Sequence, residues 1–306
     1  MNISNIIMQM IELFLIMGAG YICYKVKYID IRSAKKMNIL LLNVTTPCLI
    51  LGSVSSGEVP YKNSTIFTIL LIAFLMYLIL PFIAFILNKV LKVEKENFGM
   101  YLFMTVFSNI GFMGYPVVKT IFGDNAVFLC SLFNMVFGLF AYSLGIYLFN
   151  MDKGKNLKFE IKEIINPAMI ASILALFIFL LNVKLPTIIS NTFISIGSIT
   201  SPLAMMLIGS SLATMPIKEI FKEYKLYPYT LIKQIIIPLL ALIILKPILT
   251  DPLILGITIV VLAMPIGNIS NIFANRFDGN YKLASKGIFI TTICSFITIP
   301  ILCYIL

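Results

Sequence analysis

The amino-acid sequence predicts an all-α membrane protein with ten transmembrane helices, arranged as two inverted five-helix repeats with broken, crossing helices four and nine. The first observation is composition: 60% of the 306 residues are hydrophobic and only 12% are charged. A soluble domain carries about 25% charged residues. At about 20 apolar residues per crossing, the chain has room for about ten crossings and short loops. The other two observations are loop charge and an internal repeat.

Ten apolar stretches follow one another along the chain. The first is predicted to be a transmembrane helix rather than a cleavable signal peptide, because no Lys or Arg precedes it. The predicted spans lie at 3–24, 38–56, 64–88, 98–121, 125–150, 164–182, 186–213, 226–246, 252–274 and 284–306.

The connections between the spans alternate in charge. Of the 23 Lys and Arg residues, 18 lie in connections on one side, four lie on the other side, and Lys233 falls within span eight. Cytoplasmic loops carry an excess of Lys and Arg, so we expect a multi-pass protein of the cell membrane with both termini extracytoplasmic. The net charge of +10 then reflects topology rather than nucleic-acid binding. The basic connections are 25–36, 89–97, 151–163, 214–225 and 275–286.

Two short motifs recur at a constant spacing. Val44-Thr45-Thr46-Pro47 in span two resembles Ile199-Thr200-Ser201-Pro202 in span seven, and the Phe-Gly-Asp-Asn motif at Phe122 resembles Phe-Asp-Gly-Asn at Phe277. Both pairs are 155 residues apart. A common offset favours duplication over chance.

The duplication divides the chain into two repeats of five helices, 1–150 and 160–306. Because five is odd, the two repeats have opposite orientations in the membrane, as in many secondary transporters. We therefore expect a two-fold axis in the membrane plane to superpose Pro47 on Pro202 and Phe122 on Phe277.

Spans four and nine gather Asn, Gly, Ser and Pro among apolar residues. Such residues are tolerated at membrane depth where they line a cavity or are buried in protein. Close helix packing would explain them too, but we favour two broken helices whose half-helix N-termini face each other and attract an anion. We expect no Lys or Arg at these breaks. The helix-breaking prolines are predicted to be Pro47, Pro116, Pro202 and Pro265. The predicted binding residues of the two spans are Ser108, Asn109, Gly111, Pro265, Gly267, Asn268 and Asn271.

Two ionisable residues inside spans are candidates for ion coupling. Glu12 lies near the middle of span one, and Lys233 lies in span eight beside Gln234. Buried charge is expensive in a membrane, which favours a function. Lys233 is also close enough to the predicted cytoplasmic end to extend its amine into the interface.

Enzymatic and cofactor-dependent functions are disfavoured. The chain contains no His, so His-based zinc sites and Ser-His triads are excluded. No P-loop, GxSxG or HExxH motif is present. The five Cys residues are scattered through apolar runs without metal spacing. We expect no enzyme activity, no cofactor and no metal site.

These residues give the chain a resemblance to the auxin efflux carrier family, the bacterial relatives of the plant PIN-FORMED carriers. The resemblance covers essentially the whole chain. Its motifs are Asn43 to Pro47, Ser108 to Pro116, Pro202 to Gly209, Met264 to Gly267 and Asn271 to Phe277.

The resemblance implies a scaffold part formed by helices 1, 2, 6 and 7 and a transport part formed by helices 3–5 and 8–10. It implies elevator-type alternating access, a substrate site where helices four and nine cross, and a homodimer. Asn134 in span five matches a polar residue that lines the family's site. Plant members have a proline where this chain has Ser108, so the first break is expected to be softer.

The function expected from these arguments is secondary transport of small organic anions, such as carboxylates or auxin-like acids, across the lipid bilayer. A sodium-coupled carrier of organic anions remains an alternative, as does a channel or a non-transporting receptor. Sequence leaves the substrate, the coupling ion and the direction of transport open.

The predicted topology can be tested by labelling intact cells. A Cys introduced at Ser33 or Asn156, both in basic connections, should stay unlabelled by a membrane-impermeant thiol reagent until the membrane is permeabilised. Labelling of either position in intact cells would show that the predicted orientation is wrong.

Overall fold

The described part of the chain is helical. The computed structural model describes residues 3–55, 61–151, 165–214 and 222–306. Within these ranges the only β-type pairing is an isolated bridge between Ser108 and Ile266. The α-helices in the first half are α1 Ile3–Lys25, α2 Ile31–Leu40, α3 Thr46–Gly52, α4 Asn63–Val90, α5 Lys95–Val106, α6 Tyr115–Phe122, α7 Ala126–Phe140 and α8 Ile146–Phe149. Those in the second half are α9 Pro167–Leu180, α10 Thr187–Ser198, α11 Thr200–Ala213, α12 Leu226–Leu231, α13 Ile237–Leu245, α14 Pro252–Ala263, α15 Ile269–Arg276 and α16 Tyr281–Ile305.

The helices agree with a membrane protein of several spans. Six helices in the described ranges are long and apolar enough to cross a membrane, and three shorter apolar helices accompany them. The all-α prediction is therefore confirmed. Ten crossings and the inverted repeat remain predictions. Most of the basic connections 151–163 and 214–225 lies outside the described residues.

Several helices begin at an Asp or Asn that caps the first turn. The side chain of Asn166 accepts a hydrogen bond from the backbone N–H of Met169, and Asp251 accepts from Leu253 and Ile254. The next residue is a proline in both cases, Pro167 and Pro252. A proline suits the first helical position because its missing N–H would have no partner there.

At three positions, a proline within a span follows a wider, π-helical turn, and the helix continues through it. Pro47, Pro116 and Pro238 each stand two residues after a π-helical turn. A proline cannot donate to the carbonyl four residues earlier, and in all three cases that carbonyl lies inside the π-helical turn. The chain thus stays helical at Pro47 and Pro116, where the sequence predicts breaks. The π-helical turns are Leu41–Thr45, Ile110–Gly114, Ala141–Gly145 and Ile232–Ile236.

The other two predicted breaks differ from each other. Pro202 lies in the first turn of α11, which follows α10 after a single non-helical residue, Ile199. Pro265 lies in a longer interruption between α14 and α15. Pro265 is thus the one of the four predicted prolines that sits where the helix is open.

The chain forms two compact units, and each draws on both halves of the sequence. The first comprises Met1–Leu70, Gly111–Met135 and Ile165–Met215, and the second comprises Leu71–Ile110, Val136–Ile164 and Pro216–Leu306. The segments that form these units are not those of the two predicted sequence repeats. The division into repeats 1–150 and 160–306 stays a prediction.

In the first unit, α1 packs along α11 at very short range. A Cβ atom on Gly20 would overlap the carbonyl oxygen of Met206, and one on Gly209 would overlap the carbonyl oxygen of Met17. Small residues let helix backbones approach closely in membrane proteins. The α3 helix packs against α9 and α10 in the same unit.

In the second unit, aromatic side chains form the core. Phe103 lies 4.6 Å from Phe107 and 4.5 Å from Phe273 between ring centroids. Phe149 and Phe277 extend the cluster. Aromatic pairs at these distances stabilise a core beyond simple burial of their area. The cluster holds the end of α5 beside α15.

The close contact of α1 with α11 predicts a position-specific effect of added methyl groups. Gly209→Ala should destabilise the protein by about 1–3 kcal/mol, because the new methyl group meets backbone that must shift. Gly18→Ala is the control, since nothing lies within 4 Å of its added Cβ. Thermal unfolding of the purified proteins in detergent measures both. Equal melting temperatures for the two variants would contradict the packing.

Candidate functional site

Two helices of the second unit are interrupted, and the interruptions pair with each other. One follows α5 at Phe107, and the other follows α14 at Met264. The backbone N–H of Asn109 donates to the carbonyl of Pro265 at 2.8 Å, and the N–H of Gly267 donates to the carbonyl of Phe107 at 3.0 Å. These two hydrogen bonds form the antiparallel bridge between Ser108 and Ile266. The two breaks therefore meet at this bridge, and the paired region is named the crossing.

This pairing satisfies backbone groups that the helices leave open. Unpaired N–H and C=O groups in lipid cost several kcal/mol each. The second break has another N–H group, that of Ile266, which donates to the hydroxyl of Thr291 on α16 at 3.1 Å. The two breaks thus satisfy backbone groups of each other, and Thr291 satisfies one more.

Gly267 has no room for a side chain. A Cβ atom there would lie 2.9 Å from the carbonyl oxygen of Phe107 and 3.1 Å from that of Ser108. Its position in the bridge explains the glycine that the sequence places in span nine.

The amine of Lys233 lies at this crossing. Its Nζ donates to the hydroxyl oxygen of Ser108 at 2.9 Å and to the carbonyl of Met264 at 2.7 Å. The side chain is only 1% exposed. Both partners are neutral, and an ammonium has three N–H donors. Among the described residues, one donor of a protonated Lys233 is left for a ligand.

A π-helical turn carries Lys233 to the crossing. The turn Ile232–Ile236 precedes Pro238, and it also contains Gln234. The amide of Gln234 donates to the carbonyl of Thr291 at 2.9 Å. Single π-helical turns are frequent at functional sites. Here the widened turn presents two consecutive polar side chains to the second unit's interior.

Two carboxylates of the second unit pair with other lysines. Lys286 Nζ lies 3.2 Å from Glu223 Oε2. Lys225 donates to Glu94, and this hydrogen bond lowers the pKa of the Glu94 carboxyl below its ordinary value. Among the described residues no carboxylate contacts Lys233.

The expectation that no Lys or Arg lies at the breaks is wrong. Lys233 was expected in span eight with the option of reaching the interface, but its amine is buried against both interruptions. The physical reason is that the crossing offers a carbonyl and a hydroxyl deep in the protein, so the amine gains hydrogen bonds there. The available signal was the polar Lys233-Gln234 pair in an apolar span, with Pro238 four residues after Gln234.

The remaining predicted residues of the second unit lie around the crossing. Asn109 is buried in the first break, whereas Asn268 is half-buried and directly precedes α15. Asn271, in the first turn of α15, accepts a hydrogen bond from Ser285 at 3.1 Å. Sequence reasoning did not identify Gln234 and Thr291, and nothing in the pattern marks Thr291 among the other hydroxyl residues of its span.

Three predicted residues belong to the first unit. Gly111 and Asn134 are neighbours there, because a Cβ atom on Gly111 would lie 4.0 Å from Asn134 Oδ1. Glu12 is exposed on α1. It belongs to the first unit, whereas both breaks belong to the second, and its coupling role stays a prediction.

Helical spans of this number and a polar crossing of broken helices are typical of a membrane transporter. A family profile described as membrane transport protein matches residues 5–303. The chain therefore belongs to this family, and the resemblance to auxin efflux carriers is confirmed.

Three similar proteins are described as uncharacterized transporters. An uncharacterized transporter of Methanocaldococcus jannaschii is 26% identical over 280 residues, covering 89% of this chain and 90% of that protein. One from Methanothermobacter thermautotrophicus is 24% identical over 286 residues, covering 92% of each chain. The uncharacterized transporter YfdV of Escherichia coli is 22% identical over 307 residues, covering 97% and 96%.

The bridge at the crossing predicts that alanine substitution lowers the stability at one glycine and not at another. Gly267→Ala should lower the free energy of unfolding by about 1–3 kcal/mol, because its methyl group pushes on two backbone carbonyls. Gly111→Ala should change it little, since its added atom meets only ordinary contact distance. Thermal unfolding in detergent compares the two variants. A Gly267→Ala protein as stable as the parent would contradict the bridge.

Proposed function

We propose that the protein is a secondary transporter of small organic anions, carboxylates or auxin-like acids, that binds its substrate where the two broken helices cross. The proposal places a carboxylate beside Ser108, Asn109, Pro265, Gly267 and Asn268. Membership of a transporter family supports the class of activity.

The amine of Lys233 is the observation that carries the anion preference. When it is protonated, a buried amine whose described partners are all neutral attracts a negative charge in a medium of low dielectric constant. A carboxylate loses several kcal/mol of hydration on entering such a site. The third N–H of a protonated Lys233 offsets part of that loss through a charge-assisted hydrogen bond.

Neutral donors supply the rest of the proposed site. Asn109 and Asn268 bring side-chain amides to the two breaks, and each hydrogen bond to a charged group contributes about 1.5–3 kcal/mol. Several bonds of this size hold an anion and still release it. A carrier requires release as much as binding.

Elevator-type alternating access is the proposed mechanism. Its support is the division into two compact units that each combine segments from both sequence halves. The inverted repeat would provide the two access states by exchanging equivalent arrangements of its halves. The scaffold part of helices 1, 2, 6 and 7, the transport part of helices 3–5 and 8–10, and the homodimer are carried over from the family resemblance alone.

The proposed site can be tested with a thermal-shift screen of the purified protein against organic acids, with and without sodium. Asn109→Ala should weaken binding of an acid found in this screen about ten-fold or more, because one hydrogen bond to a charge is lost. Cys130→Ala is the control, since Cys130 is buried in α7, belongs to the first unit and is part of neither break.

Unchanged binding and transport by Asn109→Ala would remove the crossing as the site. Failure of every tested acid to shift the unfolding temperature would remove the organic-anion proposal itself. A shift that requires sodium would favour the sodium-coupled alternative.

A further inference from the structure

The burial of Lys233 beside neutral partners disfavours the charged form of its amine. Its side chain is 1% exposed, and its hydrogen-bond partners are a hydroxyl and a carbonyl. A lone charge buried without a counter-ion costs several kcal/mol even after the protein relaxes. Neither partner offsets a full positive charge, although both satisfy two of the amine's hydrogen bonds.

The helices packed against Lys233 provide no counter-ion. Its π-helical turn contacts α12, α13, α14 and α16. None of these helices contains Asp or Glu. None of their titratable groups hydrogen-bonds to Lys233 in the described residues, and Lys286 is paired with Glu223 at the helix end. The titratable groups on these helices are Tyr227, Tyr229, Tyr281, Lys282, Lys286, Cys294, Cys303 and Tyr304.

We propose that Lys233 couples binding of the anion to uptake of one proton, so that the crossing holds its substrate as a neutral ion pair. The proposal rests on the proposed function and adds its coupling ion. A proton from water adds to the lone pair of Nζ when the anion enters, and it returns to water when the anion leaves. The empty crossing then holds a neutral amine.

Linkage makes the coupling reciprocal. An anion that favours the protonated amine is itself bound more tightly by the protonated form, and by the same factor. Affinity for the anion therefore falls as rising pH removes the proton from the empty site. Proton uptake per anion rises over the same range, because fewer empty sites already hold the proton.

Proton uptake can be measured on the unaltered protein. Titration calorimetry with malonate, malate and indole-3-acetate in two buffers of different ionisation enthalpy reports the protons taken up per bound anion. Between about pH 6 and 10, where an amine can change its charge, the expected uptake rises toward about one proton. Binding without proton uptake across this whole range would overturn the proposal.

Two substitutions separate the charge of Lys233 from its titration. Lys233→Met removes the charge and should weaken anion binding about ten-fold or more while abolishing proton uptake. Lys233→Arg keeps a permanent charge, so an anion that it binds should bind without proton uptake. Lys225→Met is the control, because Lys225 is an exposed cation of the same unit that pairs with Glu94.

The outcomes distinguish this proposal from the proposed function. Proton uptake that persists in Lys233→Met assigns the proton to another group and overturns the coupling role. Binding that depends on sodium and not on pH also overturns it, but leaves anion transport standing. If none of the three acids binds, the organic-anion function fails and the coupling fails with it.

Discussion

The pairing of two open helix segments is the constraint on which the second unit depends. Each break exposes backbone groups that lipid cannot satisfy, and the bonds from Asn109 to Pro265 and from Gly267 to Phe107 satisfy them reciprocally. Neither break is complete alone, so α5 and α14 must end at the same place. The absence of a side chain on Gly267 permits the approach, and the ring of Phe107, whose carbonyl accepts from Gly267, packs in the aromatic cluster with Phe103.

The amine at the crossing does not come from the two breaks themselves. A third helix brings Lys233 and Gln234 to the crossing through a π-helical turn, and α16 adds the hydroxyl and carbonyl of Thr291. The result is one buried amine surrounded by neutral donors and acceptors. Among the described residues no fixed carboxylate pairs with this amine, and this is the observation on which the proposed anion site rests.

Prolines and glycines determine local geometry in both units. Three prolines coincide with π-helical turns, since each removes the donor that an α-helical turn requires. Glycines let α1 and α11 approach until their backbones nearly touch. Their positions were readable as irregularities in the sequence. Whether a given proline widens, interrupts or opens its helix depended on its neighbours, as the contrast between Pro47 and Pro265 shows.

The sequence by itself determined the all-helical membrane class and the two polar interruptions after α5 and α14, because apolar length and the distribution of Asn, Gly, Ser and Pro are local properties. Only the tertiary structure decided that Ser108 pairs with Ile266 and that the amine of Lys233 lies between both breaks. Lys233 is 125 positions from Ser108 and 31 positions from Met264 in the sequence. Helix packing sets such distances, and no pattern within a single span contains them.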